Sequence, residues 1–322
     1  MGLGSGTLDR RKLLQALGLA ASGGAVVAAM PDWARVVAKA AQTVSAGRNQ
    51  WPLATINHLA LNVADYAKSR DFYVDMFGMR VRWDDGKRCD VEFGSMTSPN
   101  GLYIGALAKP GDPPTVGHVA FGIPDFWARK SAIKAELERR GVKIVPDGEG
   151  GWTFDEPSHF MSPGMQVTPE SDPSMFPGAG SPCLVANSDK CKTAWQAGLQ
   201  KPAGDPKPSG KGFKATAFSH IVFEVPDVAR ERDFCTDPWG MKVVSEKPGE
   251  ECLLRFGLNT LEIRKTSAKA HCNSYGFVIE NFDKAKVEAE LKRRGLDPQP
   301  DPRWVFAVKD PDGLVIGITD KA

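Results

Sequence analysis

Three histidines stand in one recurring local frame. His58, His118 and His220 each precede an aspartate by seven residues (Asp65, Asp125 and Asp227), with mostly apolar residues between. A neutral imidazole presents a lone pair that suits Zn, Fe, Mn or Ni, and two imidazoles with one carboxylate form a common open facial site. The same side chain also serves as a general base near neutral pH. A single strand histidine is by default a hydrogen-bonded core residue. Recurrence at matched positions is what argues for chemistry at His58 and His118.

The frame belongs to a longer repeat, and the repeat defines the elements that must position these residues. Ile56-Asn57-His58-Leu59-Ala60-Leu61-Asn62-Val63-Ala64-Asp65 recurs as Phe218-Ser219-His220-Ile221-Val222-Phe223-Glu224-Val225-Pro226-Asp227, an offset of 162 residues. The offset holds through Arg70-Asp71-Phe72 against Arg232-Asp233-Phe234, and Gly78-Met79 against Gly240-Met241. Glu136-Leu137-Glu138-Arg139-Arg140-Gly141 is matched by Glu290-Leu291-Lys292-Arg293-Arg294-Gly295. A degenerate fourth copy of the frame runs from Ser274 to Asn281. Each copy opens with period-2 alternation, His58, Ala60 and Asn62 against Leu59 and Leu61, which marks a strand. Charged segments over 64–77 and 128–140 end at glycine, as helices do. Short β runs follow at 79–83, 89–93 and 102–107 in the first copy. The pattern predicts an α+β fold of four βαβββ units. The Glu-Leu-x-Arg-Arg-Gly segments read as solvated helix ends, with cations favoured at the C-terminus.

The 322 residues are 42% apolar and 25% charged, ample for two domains and unlike a disordered, collagenous or polytopic membrane chain. Forty-one Lys plus Arg against 39 Asp plus Glu leave a net charge of +2, which gives no footprint for nucleic acid or an anionic membrane surface. Residues 1–41 read as an export signal. Arg10-Arg11 precedes a weakly apolar Gly/Ala-rich run and the small residues around Ala38 and Ala40, a twin-arginine pattern that predicts a periplasmic or secreted protein with no membrane contact after cleavage. The domains are then expected at 52–170 and 216–322, joined by a Pro/Gly-rich arm over 171–215. Cys183 and Cys191 in that arm are expected to pair in an oxidising compartment. Cys89, Cys235, Cys252 and Cys272 fall in or beside predicted strands and read as buried thiols. No CxxC pair argues for a cysteine-rich zinc site.

Four βαβββ units opening with His-x-x-x-x-Val-x-Asp or a decayed form of it resemble the vicinal oxygen chelate superfamily, which includes glyoxalase I, bleomycin-resistance proteins and extradiol dioxygenases. Asp310-Pro311-Asp312-Gly313 resembles that family's turn before its last strand. The resemblance implies two open barrels, each from two units, with ligands on the first and last strand of each unit. It implies a divalent metal (Fe, Mn, Zn or Ni) held by His58 and His118, with Glu170 as third ligand and Glu170 or His159 as base. Tyr103 falls where the family carries glutamate, and Pro169 falls at the fourth place. His220 and Glu262 form a weaker second set, with Ser274 and Gly317 at the other two places. Trp83, Trp152 and Tyr103 are expected to line a cavity. The implied function is a lyase, isomerase or dioxygenase acting on a small oxygenated organic substrate. A non-catalytic small-molecule binder of the bleomycin-resistance type is the alternative, and an oligomer is compatible with both.

Overall fold

The computed structural model describes residues 51–95, 98–107, 109–123, 126–146, 152–154, 165–169 and 209–321. The export segment, most of the arm, Cys183, Cys191, His159 and Glu170 lie outside the described residues. Residues 51–322 fall in one compact unit. Among the described residues no helix is long and apolar enough to cross a membrane.

The chain runs β1 (Thr55–Val63), α1 (Tyr66–Phe77), β2 (Arg80–Asp84), β3 (Cys89–Ser95) and β4 (Ser98–Ala106). It continues through β5 (Thr115–Ile123), α2 (Phe126–Arg139), β6 (Ile144–Pro146), β7 (Trp152–Phe154) and β8 (Met165–Pro169). The second half repeats the order as β9 (Ala215–Val225), α3 (Val228–Thr236), β10 (Lys242–Lys247), β11 (Glu251–Phe256) and β12 (Asn259–Lys265). It closes with β13 (His271–Ile279), α4 (Lys284–Arg293), β14 (Gln299–Pro300), β15 (Phe306–Lys309) and β16 (Val315–Thr319). Two eight-stranded sheets result, ordered β2-β3-β4-β1-β5-β8-β7-β6 and β10-β11-β12-β9-β13-β16-β15-β14.

The recurring aspartate is a helix cap. Asp65 accepts from the N–H groups of Ala67 and Lys68, both at 3.1 Å, and Asp227 accepts from Arg230 N–H at 3.0 Å. Each satisfies donors that the first helical turn leaves open. In the fourth copy the cap is Asp283, which accepts from Lys286 N–H at 3.1 Å, rather than Asn281. Asn281 instead takes a left-handed turn (φ 52°) that asparagine tolerates. Gly78 closes α1 at φ 63°, where a side chain would be strained.

Aromatic rings join the two sheets. Phe93 of β3 meets Phe218 of β9 with ring centroids 4.9 Å apart, Phe77 meets Phe277 at 4.7 Å, and Phe121 meets Phe256 at 5.4 Å. All six are buried. Such pairs add about 0.5–1.5 kcal/mol each to their area burial. The paired arginines at the helix ends correct the sequence expectation. Arg139 and Arg293 are exposed, but Arg140 and Arg294 reach across to the other half. Arg140 Nη2 lies 3.0 Å from Asp237 Oδ1, and Arg294 Nη1 lies 2.5 Å from Asp75 Oδ2. Asp75 and Asp237 are 162 residues apart, so the repeat itself makes the two bridges. The thiols at 89, 235, 252 and 272 are buried, as expected. Burial pushes Cys252 up to about 11.

Candidate functional site

The central strand of the first sheet positions the site. β1 lies between β4, which runs parallel to it, and β5, which runs antiparallel. Leu59, Leu61 and Val63 are buried on one face of β1, so His58 and Ala60 fall on the other. Register places both Tyr103 of β4 and His118 of β5 level with Ala60, one residue pair away from His58. Three side chains from three adjacent strands therefore share one face.

His58 and His118 converge. Their Nε2 atoms are 3.0 Å apart, and their rings meet edge to face at 5.2 Å. His58 is only 2% exposed. Its Nδ1 lies 2.7 Å from Asn57 Oδ1. With Asn57 Oδ1 as acceptor, Nδ1 carries the proton of the neutral ring, and the Nε2 lone pair accepts from His118 Nε2–H. The Tyr103 ring packs edge to face on His58 at 4.5 Å.

This pair fits a metal. Two nitrogens at about 2.0–2.1 Å from one ion, at cis to tetrahedral angles, stand roughly 2.8–3.4 Å apart, and the observed separation lies in that window. A partner that fixes the distal nitrogen is the usual accompaniment of a ligating histidine. Among the described residues, however, no group of three His, Cys, Asp or Glu converges. Tyr103 holds the place of the carboxylate.

The fourth place differs from the sequence reading. β8 pairs with β5 so that Gln166 lies beside Ala120 and Pro169 beside Ile123. Gln166 therefore holds the register position that the sequence reading gave to Pro169. Pro169 is level with a residue five positions along β5 from His118, roughly 17 Å at 3.4 Å per residue. Sequence spacing gave no signal for Gln166, because the preceding loop hides the start of β8.

The second sheet repeats the frame with other side chains. Val222 of β9 is level with Glu262 of β12 and Ser274 of β13. His220 Nε2 lies 3.0 Å from Glu262 Oε2, and its Nδ1 lies 2.7 Å from Thr260 Oγ1. Arg264 Nε also donates to Glu262. Burial alone would raise the Glu262 carboxyl, but the His220 hydrogen bond and the Arg264 charge outweigh it and hold it below the ordinary range. The structure brings His220 and Glu262 together, and with them Thr260 and Arg264, which the sequence did not single out. An open cavity of about 720 Å³ lies away from both sets, lined by α1 residues, Arg294 and Pro311.

Residues 55–156 match a family model described as the Glyoxalase/Bleomycin resistance protein/Dioxygenase superfamily. No curated protein matches the chain in sequence. Among solved structures, the chain is similar to the Mn(II)-bound glyoxalase from Novosphingobium aromaticivorans, at 16% identity and TM-score 0.60, with 84% of each chain covered. It is similar to the 2,3-dioxygenase LapB from Pseudomonas sp. KL28, at 14% identity and TM-score 0.60, covering 84% of this chain and 92% of that one. Homoprotocatechuate 2,3-dioxygenase from Arthrobacter globiformis aligns at 16% identity and TM-score 0.58, covering 84% and 81%. Likeness at these identities shows the fold, a mixed α+β architecture with two sheets.

Proposed function

We propose that the chain is a metal-dependent enzyme of the cell envelope that binds a small substrate through neighbouring oxygens, with glyoxalase-like lyase or isomerase chemistry or extradiol-dioxygenase-like chemistry. The observation that carries this reading is the His58–His118 pair, with Nε2 atoms 3.0 Å apart and Asn57 fixing one lone pair inward. In this reading the chain has four βαβββ units forming two open barrels in tandem, over 52–170 and 216–322, and residues 1–41 direct export through the twin-arginine route. Mn(II) in the glyoxalase neighbour supports a divalent ion at such a site.

His58 and His118 would hold the ion and Asn57 would keep His58 in the ligating tautomer. A divalent ion, when bound, polarises neighbouring substrate oxygens and lowers the pKa of the adjacent O–H or C–H. Tyr103, packed on His58, forms one wall and offers a phenolic hydroxyl to orient substrate. Glu170 or His159 would take the proton.

Turnover by the full chain supplied in turn with Fe²⁺, Mn²⁺, Zn²⁺ and Ni²⁺, against catechols and thiol adducts of 2-oxoaldehydes, tests the reading. Activity that needs added metal and disappears in His118→Ala is expected. Tyr103 in place of a carboxylate favours a second reading, a binding protein without chemistry. Metal-independent ligand binding with no turnover would select it.

A further inference from the structure

The two sheets share strand order and register around their histidines, and one cluster of the second has no counterpart among the contacts of the first. Ala120 pairs with Gln166 in the first sheet, and the corresponding pair in the second is Gly276 with Gly317. Trp304, two residues before β15, lies directly on those two glycines. A Cβ on Gly276 would collide with indole Nε1 and Cδ1, and one on Gly317 would collide with Cδ2, Cε2 and Cγ. The indole Nε1–H donates to Ser219 Oγ at 3.2 Å. The Arg303 guanidinium covers the ring at 4.7 Å from its centroid and is itself clamped by Asp301, at 2.9 Å and 2.6 Å. His220 meets the indole edge to face at 5.6 Å. Trp304 is 3% exposed.

Glycine at both positions is what permits this packing, since any side chain there would stand inside the indole. Ser274 Oγ, at the register position of His118, is buried and without a hydrogen-bond partner. A buried hydroxyl without a partner is destabilising, which a position built only as core avoids. Ser219, His220 and Arg303 surround the indole with polar groups, which marks a filled pocket rather than an apolar core position.

We propose that Trp304 is a built-in plug: its indole fills the pocket of the second sheet over Gly276 and Gly317 and seals His220 and Glu262 from external ligands. The pocket it fills has the size of a flat bicyclic aromatic with one N–H donor. Small molecules then enter the first sheet alone. This goes beyond the reading of His58 and His118 and does not depend on it.

A thermal double-mutant cycle on the full chain tests the plug. Gly317→Ala should lower Tm by several degrees in the natural background and produce no further loss in a Trp304→Gly background, where the added methyl meets no ring. Trp304→Leu serves as the background if the glycine variant does not fold, because leucine places no ring over Gly317. Indole in solution should raise the Tm of Trp304→Gly and leave the natural protein unchanged. An equal loss from Gly317→Ala in both backgrounds overturns the proposal, as does an indole shift of equal size in natural protein and variant. The readout needs no metal, so its failure is separate from any failure at His58 and His118.

Discussion

His58 and His220 stand at matched places and are oriented by different neighbours. Asn57 Oδ1 holds His58 Nδ1, whereas Thr260 Oγ1 takes the same nitrogen of His220. The residue at the position of Asn57 is Ser219, which is occupied by the indole of Trp304. Among the described residues, only in the first sheet do two imidazole nitrogens face one another. The third place carries Glu262 in the second sheet and Tyr103 in the first, each level with the residue two beyond its histidine. Each sheet thus holds part of a two-histidine, one-carboxylate set. Tyr103→Glu should supply the missing carboxylate and tighten Mn²⁺ or Zn²⁺ binding by about tenfold or more, the scale of one charge-assisted contact. Competition titration with a metallochromic chelator measures this. An unchanged affinity would mean that β4 does not face the pair.

Among elements, strand periodicity and the glycine ends of helices were legible, and cross-strand register was not. The alternation around His58 placed β1, and Gly78 marked the end of α1, whereas the capping roles of Asp65 and Asp227 emerged only in the structure. Pro169 was placed where Gln166 stands, because the length of the loop before β8 is not encoded in local pattern. Arg140 and Arg294 looked solvated, since their partners Asp237 and Asp75 lie in the other half of the chain. These ends carry a pH dependence. The Arg139 and Arg140 hydrogen bonds hold Glu136 at about 2, and Arg293, against some burial, then Arg294 hold Glu290 at about 2. Burial tends to raise Asp75, but the Ser209 N–H and Arg294 bring it to about 2. A carboxyl lowered in the folded state stabilises above its unfolded value and loses that contribution as pH falls through the folded one. Stability should therefore decline between about pH 4.5 and pH 2. Arg294→Met should flatten the decline and remove up to about 1 kcal/mol at neutral pH, the scale of a partly exposed pair. Urea melts across that range check it. An unaltered pH profile would remove Arg294 from the account.

At the scale of the molecule, two sheets of the same strand order share aromatic packing and differ around their histidines. Phe277 touches Phe77, Phe93 and Phe218, so it ties α1 and β3 of the first half to the second. Unfolding should be a single cooperative transition, and Phe277→Ala should lower stability by about 3–5 kcal/mol. Two separated calorimetric transitions in the natural protein would contradict this coupling. The internal sequence repeat and its histidines were visible in sequence because their spacing is periodic. Trp304 was invisible, because its packing depends on Gly276 and Gly317, which are distant in sequence and lack any motif. Export is tested apart from the fold: Arg10→Lys with Arg11→Lys should keep the precursor in the cytoplasm, and unchanged periplasmic accumulation would reject the twin-arginine route.

The central claim is that the working site lies in the first sheet on His58 and His118. Metal content per chain, measured by plasma mass spectrometry on the natural protein and on His58→Ala, His118→Ala and His220→Ala, tests it most directly. The account predicts bound divalent metal in the natural protein, loss of most of it in either first-sheet variant with the fold retained, and near-natural content in His220→Ala, where Trp304 seals the pocket. Metal lost in His220→Ala and kept in His58→Ala would place the site in the other sheet and contradict the account.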